Sequence, residues 1–141
     1  MAYDINNLFA KIARGEIPCV KVHEDAETLA FMDIMPQAEG HTLVIPKIAG
    51  ENLYDSPPGS VAAAIRTTQR VARAVQRAFS SPGLIVTQFN GPAAGQTVFH
   101  LHFHVIPVYV EGPWRAHARQ KADPEVLEAH AARIRDALAN G

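Results

Sequence analysis

The chain has 141 residues, of which 48% are hydrophobic and 19% charged, and this composition is that of one folded domain. Thirteen Lys and Arg stand against fourteen Asp and Glu, so the chain lacks the basic excess of a general nucleic-acid binder. Its single cysteine, Cys19, excludes an intrachain disulfide framework, and no apolar run approaches the ~20 residues of a membrane span. The first residues also lack the basic and apolar stretches of a signal peptide. We therefore expect a cytoplasmic protein with no nucleic-acid and no membrane partner.

The first third of the chain predicts a short helix followed by three strands. Residues 7–14 carry apolar side chains on one helical face, and Gly15 is a stop signal. Hydrophobic and polar residues then alternate over residues 20–23. Two further strands are expected over residues 28–32 and 41–45, with polar loops between the three.

From residue 56 the hydrophobic residues recur at the period of a helix. Ser56 is the expected N-cap, and prolines follow it in the first turn. The expected buried stripe of this long helix has spacings of three and four: Val61, Ile65, Thr68, Ala72, Val75 and Phe79. The segment from Ser80 to Gly83 is expected to end it.

The remaining elements are two strands and a last helix. The strands are expected over residues 84–89 and 98–108, with a loop of small residues over 90–95. A last helix is expected to begin at Asp123, with an apolar stripe of Leu127, Ala131, Ile134 and Leu138.

Short turns favour antiparallel pairing, because parallel strands need crossover connections. The sequence therefore predicts an α+β domain: a five-stranded antiparallel sheet with a short N-terminal helix, one long helix and a C-terminal tail helix. We divide the chain into a domain over residues 1–110 and a tail with a helix over residues 111–141.

Three of the seven histidines alternate with apolar residues in the expected fifth strand. Successive side chains of a strand point to opposite faces, so His100, His102 and His104 would share one face. One such histidine could simply be a polar residue on a half-exposed strand. Three histidines at every second position pack less well on that face than β-branched residues would, so the pattern indicates a chemical function.

Two kinds of chemistry fit this pattern. Two histidines at i and i+2 can share a zinc ion, but the Cα atoms of His100 and His104 are expected ~13 Å apart, too far for three ligands with Zn–N bonds of ~2.0 Å. In the second interpretation one imidazole attacks, while its neighbours orient it and bind anionic oxygens. The preceding Gly95-Gln96-Thr97 favours this metal-free chemistry, because glycine allows close approach of a phosphate and the two side chains donate to its oxygens.

The string from Gly95 to Ile106 resembles the signature of the histidine triad (HIT) family of nucleotide hydrolases and transferases. Segments 8–18, 29–37 and 40–47 agree with the family as well. The similarity covers residues 5–108, is closest to the Hint branch of purine nucleoside phosphoramidases, and does not extend to the tail. It implies a HIT-like fold.

The resemblance implies a role for each histidine of the triad. His102 would be the nucleophile that attacks the α-phosphorus and forms a nucleotidyl-histidine intermediate. His100 would fix the tautomer of His102 through its backbone carbonyl or its side chain, and His104 would bind phosphate oxygens. Gln96 and Thr97 would contact the phosphate and the leaving group.

The resemblance also implies a pocket for the nucleoside. Asp33 would accept hydrogen bonds from the ribose hydroxyls, and Asn90, in the loop that leads to Gly95, would approach ribose or phosphate. His41 would lie behind the site. The purine would lie in an apolar slot formed by Leu8, Phe9, Ile12, Phe31 and Ile34, although apolar stripes are as often plain core.

Metal and assembly are the last implications. Many bacterial relatives hold a structural zinc with two cysteines and two histidines, but the corresponding positions here are Asn7, Ala10, Ala49 and His100. We therefore expect no metal and no cofactor. The resemblance also implies a homodimer that joins two five-stranded sheets into one of ten. The tail of one subunit would then approach the other subunit's site, where it would present Trp114, Arg115, Arg119 and Lys121.

The leading functional hypothesis is a hydrolase or nucleotidyl transferase. It would cleave the P–N or P–O bond of purine nucleoside 5′-monophosphate conjugates, such as phosphoramidates and aminoacyl-adenylates of AMP or GMP. The alternatives are a dinucleoside polyphosphate hydrolase, a purine-nucleotide-binding regulatory module with incidental turnover, and a two-histidine metal hydrolase. His102 between two further histidines favours catalysis, because a pure binding module needs no nucleophile.

Overall fold

Five strands and three α-helices are present in the computed structural model, which describes residues 2–109 and 120–141. In chain order they are α1 (Leu8–Ala13), β1 (Lys21–Glu24), β2 (Thr28–Met32), β3 (Thr42–Pro46), α2 (Pro58–Phe79), β4 (Gly83–Thr87), β5 (Phe103–Val108) and α3 (Pro124–Ala139). The strands form one sheet in the order β1-β2-β3-β5-β4, and every neighbouring pair is antiparallel. The predicted α+β class and five-stranded antiparallel sheet are confirmed.

Local signals in the sequence explain the first helix and the turn before β3. Asn7 caps α1 by accepting a hydrogen bond from the backbone N–H of Ala10 (2.9 Å). Gly40 has a φ of +91°, and a Cβ there would lie 2.9 Å from the ring of Phe79. Only glycine satisfies both the left-handed backbone and this close approach.

Helix α2 begins and faces the core differently from the prediction. Its N-cap is Pro57, because the Ser56 hydroxyl is engaged in the preceding turn, where it accepts from Gly50 N and donates to Asn52 O. Ile65, expected in the buried stripe, is 46% exposed. Thr68, Val75 and Phe79 of the predicted stripe are buried, and the rest of the buried face is Ala63, Ala64, Thr67, Val71 and Ala74. The small side chains on this face let the helix approach the sheet closely. The predicted stripe included the larger Ile65 and left out the buried alanines.

The sheet buries both of its faces. On one face α2 and α3 form the main core with strand residues such as Met32 and Val105. Leu127, Ala131 and Ile134 of α3 lie in this core as predicted. On the other face α1 covers a second cluster of Phe9, Leu29, Phe31, Leu43 and Ile45. Strands β2 and β3 are therefore buried at every position.

The fifth strand is shorter than predicted. It begins at Phe103 and not at residue 98, so His100 and His102 precede the strand and lie outside its ladder. A 3₁₀ turn at Pro92–Ala94 interrupts the loop that leads to them. Of the tail residues named above, Trp114, Arg115 and Arg119 lie outside the described residues. No helix in the described part of the chain is long and apolar enough to cross a membrane.

Candidate active site

The three histidines of the triad occupy different environments. His104 pairs with Leu43 in the ladder between β3 and β5, whereas His100 and His102 lie in the extended segment before β5. Leu101, between them, is fully buried on the α2 side and donates its backbone N–H to Gly50 O (3.1 Å). The alternation predicted from the sequence thus persists beyond the strand and leaves the histidines on the α1 side of the sheet.

His102 has a tautomer that follows from its hydrogen bond. Its Nδ1 lies 2.7 Å from the backbone carbonyl of His100, and a carbonyl only accepts, so Nδ1 carries the proton. Burial lowers the pKa of His102, which keeps the ring neutral at pH 7. Nε2 therefore bears a lone pair. The edge of Phe9, 4.9 Å between ring centroids, packs against this imidazole.

His100 is buried and bonded at both ring nitrogens. Nε2 lies 2.8 Å from Pro46 O, and Nδ1 lies 2.6 Å from the hydroxyl of Tyr3. Burial lowers the pKa of His100 to about 4. Its ring is thus neutral at pH 7, and it contacts His102 through the backbone carbonyl.

A chain of hydrogen bonds also defines His41 and His104. The backbone N–H of Gln37 donates to His41 Nδ1 (3.0 Å), and burial lowers the pKa of His41 to about 4. The proton of this neutral ring is consequently on Nε2, which lies 3.0 Å from Nδ1 of His104. His104 therefore accepts at Nδ1, and in its neutral form it carries its proton on Nε2. The rings of His102 and His104 are 5.1 Å apart.

Asp33, His41 and His104 place three potential metal-ligand atoms within 4.8 Å of one another. His41 Nε2 is 3.4 Å from the Asp33 carboxylate and 3.0 Å from His104, spacings that a small cation could bridge. However, a metal needs the lone pair of Nε2, and the bond from Gln37 N to Nδ1 puts the proton of His41 on Nε2. The hydrogen-bonding pattern thus fits a proton-holding chain and opposes a metal site.

Asp33 is the third member of the cluster with His41 and His104. One carboxylate oxygen accepts from Met35 N (2.8 Å), and the other faces His41. Burial raises the pKa of Asp33 to about 6. A carboxylate has about four acceptor positions, so Asp33 can accept further hydrogen bonds beside the one from Met35.

Gln96 ties two loops together. Its carbonyl accepts from Asn52 Nδ2 (3.2 Å) and Gly91 N (2.8 Å), and its amide donates to Glu51 O (2.6 Å) and Val98 O (3.0 Å). Four intramolecular bonds engage both ends of the buried side chain, so a phosphate contact would require one of them to break. The structure therefore gives Gln96 a role in shaping the loop.

The other predicted residues of this loop differ in exposure. Thr97 is exposed. Asn90 is half-buried, accepts from Leu53 N (2.9 Å) and forms a paired amide interaction with Gln88. Gly95 has a φ of +102° at the end of the 3₁₀ turn, a backbone conformation that L side chains rarely adopt.

The five residues assigned to the purine slot divide into two groups. Phe9 and Phe31 are buried and meet edge to face, 5.4 Å between centroids, with Ile12 packed against their cluster. Leu8 and Ile34 are 45% and 51% exposed. Apolar surface left open in this way can contact a base, whereas Phe31 serves mainly as core.

The positions that correspond to the relatives' zinc ligands do not fit a metal. The Asn7 side chain caps α1, and the side chains of Ala10 and Ala49 have no atom that could bind a metal. Both ring nitrogens of His100 are hydrogen-bonded. Metal ligation at His100 would displace either Tyr3 or Pro46 O.

His41 lies behind His104, which agrees with the implied position: it is 1% exposed and bonds His104 directly. Sequence reasoning missed that bond and one residue. Tyr3 was given no role, yet its hydroxyl bonds His100. A lone histidine after a glycine and a tyrosine near the start of the chain carry no local signal, because only the tertiary fold joins them to residues about 60 and 97 positions away.

Comparison with known proteins agrees with this architecture. Residues 14–110 match the family described as HIT domain. A Hit-like protein from Bartonella henselae superposes with a TM-score of 0.88 at 50% identity, covering 96% of this chain and 99% of that one. Adenosine 5′-monophosphoramidase hnt1 of Schizosaccharomyces pombe is 41% identical over 100 residues, 71% of this chain and 72% of hnt1. Adenylylsulfatase HINT3 of Arabidopsis thaliana is also 41% identical over 100 residues, which are 71% of this chain and 51% of HINT3.

Proposed function

The chain belongs to the HIT domain family, and on that premise we propose that it cleaves purine nucleoside 5′-monophosphate conjugates through a nucleotidyl-histidine at His102. The observation that carries the proposal is the 2.7 Å hydrogen bond from His102 Nδ1–H to His100 O. Because that bond holds the proton on Nδ1, the lone pair of Nε2 is kept for attack.

The reaction has two displacements at phosphorus. In the first, Nε2 of His102 bonds to the α-phosphorus, the bond to the leaving nitrogen or oxygen breaks, and the leaving group takes up a proton. The attacking imidazole becomes positive, and the carbonyl of His100 stabilises that charge through Nδ1–H. In the second, water attacks the phosphorus, the P–N bond to His102 breaks, a proton is released and the nucleoside monophosphate departs.

Neighbouring side chains supply binding in this proposal. His104, which accepts at Nδ1, donates from Nε2–H to a phosphate oxygen, and Thr97 contacts the leaving group. Asp33 accepts from the ribose hydroxyls, and Asn90 lies close to the ribose or phosphate. The open apolar side chains of Leu8 and Ile34 contact the purine.

The names of two relatives support the proposed substrate class. One relative is named an adenosine 5′-monophosphoramidase and the other an adenylylsulfatase. We therefore assign to this chain P–N and P–O conjugates of AMP or GMP, including phosphoramidates and aminoacyl-adenylates.

Trapping the intermediate tests the proposal. We expect the protein, quenched in acid-free denaturant during turnover of a fluorogenic adenosine phosphoramidate, to gain the mass of one AMP group on the peptide that holds His102. His102→Ala should neither gain this mass nor turn over, while its affinity for AMP stays within about tenfold, because ribose, phosphate and purine contacts dominate binding. Residual turnover by His102→Ala would refute the assignment.

The same assay separates the alternatives. A dinucleoside polyphosphate hydrolase would have a higher kcat/KM for diadenosine polyphosphates than for the phosphoramidate. A regulatory module would bind AMP without forming the adduct.

We also propose a homodimer. Strand β4 pairs only with β5 within the described residues, so its other edge is open, and Val86 on it is 46% exposed. Pairing of two β4 strands would join two sheets into one of ten strands. Light scattering should report twice the monomer mass, and a monomer with full activity would refute this assembly.

A further inference from the structure

The hydroxyl of Tyr3 and the ring of His100 form a partly buried hydrogen bond that links residues before α1 to the histidine segment. The distance from Tyr3 Oη to His100 Nδ1 is 2.6 Å, and the two rings lie tilted with centroids 5.8 Å apart. Tyr3 is half-buried and precedes α1, whose Phe9 packs on both His100 and His102.

The direction of this bond is determined by the opposite side of the ring. Pro46 O accepts at 2.8 Å, so Nε2 of His100 must be the protonated nitrogen. The neutral ring then offers only a lone pair at Nδ1. Tyr3 must therefore donate its hydroxyl proton to Nδ1, and His100 is held between one donor and one acceptor.

The histidine segment needs such anchors because it is not part of the sheet. The ladders to β3 and β4 include residues from Phe103 onward, and neither reaches His100 or His102. On the N-terminal side of Phe103, the segment is held by the hydrogen bond from Leu101 N–H to Gly50 O and by the two hydrogen bonds to the ring of His100. The carbonyl that bonds His102 Nδ1 belongs to this same anchored residue.

We propose that Tyr3 is a positioning residue for the attacking histidine. Its hydroxyl holds the His100 ring, the anchored His100 presents its carbonyl, and that carbonyl keeps the proton of His102 on Nδ1. Without the hydroxyl, Nδ1 of His100 is a buried acceptor with no donor, and His100 gains by turning its ring. This turn moves the carbonyl and lets His102 populate the tautomer that has no lone pair on Nε2. The inference rests on the proposed role of His102.

Tyr3→Phe tests this directly, since it keeps the ring and removes only the hydroxyl. The ring-nitrogen NMR signals of a ¹⁵N-histidine-labelled protein report each tautomer without any substrate. In the unmutated protein we expect His100 protonated on Nε2 and His102 protonated on Nδ1. In Tyr3→Phe the two ring nitrogens of His102 should shift toward each other, as both tautomers become populated. With a phosphoramidate substrate, we expect kcat to fall about tenfold, which is the effect of one lost hydrogen bond, and KM to stay within about twofold.

The matched control is Tyr109→Phe. Tyr109 likewise donates its hydroxyl proton, but to the backbone carbonyl of Glu39 (2.7 Å) on the surface, so removal of this hydroxyl should leave the His102 signals and kcat unchanged. Identical His102 signals in Tyr3→Phe and the unmutated protein would overturn the proposal, as would a His100 protonated on Nδ1 in the unmutated protein. Failure of the unmutated protein to turn over any nucleotide conjugate would refute the proposed function instead, and the NMR comparison would still decide the role of Tyr3.

Discussion

His41 and His104 are 63 residues apart in the chain, yet the Nε2 of one lies 3.0 Å from the Nδ1 of the other. Pairing of Leu43 with His104 in the β3–β5 ladder brings them together, because His41 immediately precedes β3. The backbone N–H of Gln37 fixes the proton of His41, and His41 in turn fixes that of His104. A backbone amide thus determines which nitrogen of the neutral His104 imidazole is the donor.

Two substitutions at His41 test this chain of bonds. The amide N–H of His41→Gln can replace the donor to His104, whereas His41→Leu has a similar volume and no donor. We expect kcat to fall less than about tenfold for the first and about a hundredfold for the second, the difference being one hydrogen bond. Steady-state kinetics on folded fractions of both variants measures this, and equal activities would contradict the role of His41.

Asp33 should make the enzyme prefer ribose to 2′-deoxyribose. The missing hydroxyl leaves one acceptor position of the carboxylate unpaired, which costs ~1.5–3 kcal/mol or roughly ten- to hundredfold in kcat/KM. Asp33→Asn should reduce the preference, because one acceptor oxygen becomes a donor. The measurement is kcat/KM for matched adenosine and 2′-deoxyadenosine phosphoramidates with both proteins. Equal values for the unmutated protein would remove Asp33 from the ribose.

Stability should increase between pH 4.5 and 6.5. The pKa values of His41 and His100 are about 4 in the folded protein against 6.5 for a free side chain, so the unfolded chain binds more protons over this interval and acid favours unfolding. Asp33 acts in the opposite direction, because its pKa of about 6 lets the folded protein keep a proton that the unfolded chain releases. At ~1.4 kcal/mol per pKa unit, we expect a net gain of about 3 kcal/mol.

Urea unfolding at several pH values checks the size and sign of this effect. In Asp33→Asn the opposing contribution is absent, so the gain between pH 4.5 and 6.5 should be larger than in the unmutated protein. A stability that is flat over this interval would show that the two histidines titrate normally.

Gln96→Ala distinguishes a structural from a substrate-binding role. Loss of four hydrogen bonds, of which one is buried and three are partly buried, should lower the free energy of unfolding by about 2–4 kcal/mol. The exposed Gln69 on α2 provides the control, since Gln69→Ala should change stability by less than about 0.5 kcal/mol. A stable Gln96→Ala protein with a raised KM would instead favour the phosphate contact implied by the family resemblance.

The fold could be predicted largely because its signals are local. The polar turn before residue 28 located β2 at the right residues, the prolines at the start of α2 and the apolar stripe of α3 located those helices, and the histidine string identified the family. The errors are at places where tertiary contacts decide. Ser56 does not cap α2 because Asn52 and Gly50 engage its hydroxyl, and Ile65 is exposed because alanines occupy the buried face.

The candidate site was predictable in its residue types but not in its hydrogen bonds. The histidine pattern singled out His102, yet the donors and acceptors that set its tautomer come from backbone carbonyls and from residues distant in sequence. Gln96 has the side chain of a phosphate ligand, and only the positions of Glu51 and Val98 show that its amide is already bonded. Hydrogen-bond partners of this kind do not recur at a fixed spacing, so no sequence pattern predicts them.

The placement of α3 has a consequence for how this chain folds as it is synthesised. Ile134 packs in the same cluster as Val22 of β1, and Arg135 donates to the backbone carbonyl of Lys21 (2.6 Å). Strand β1 is therefore covered by a helix that is synthesised long after it. Until α3 emerges, Val22 and Met32 have one side uncovered, so the core closes late through contacts that span more than a hundred residues. Contacts between residues so far apart in sequence slow folding. A nascent chain paused before residue 124 would expose this apolar surface to chaperones.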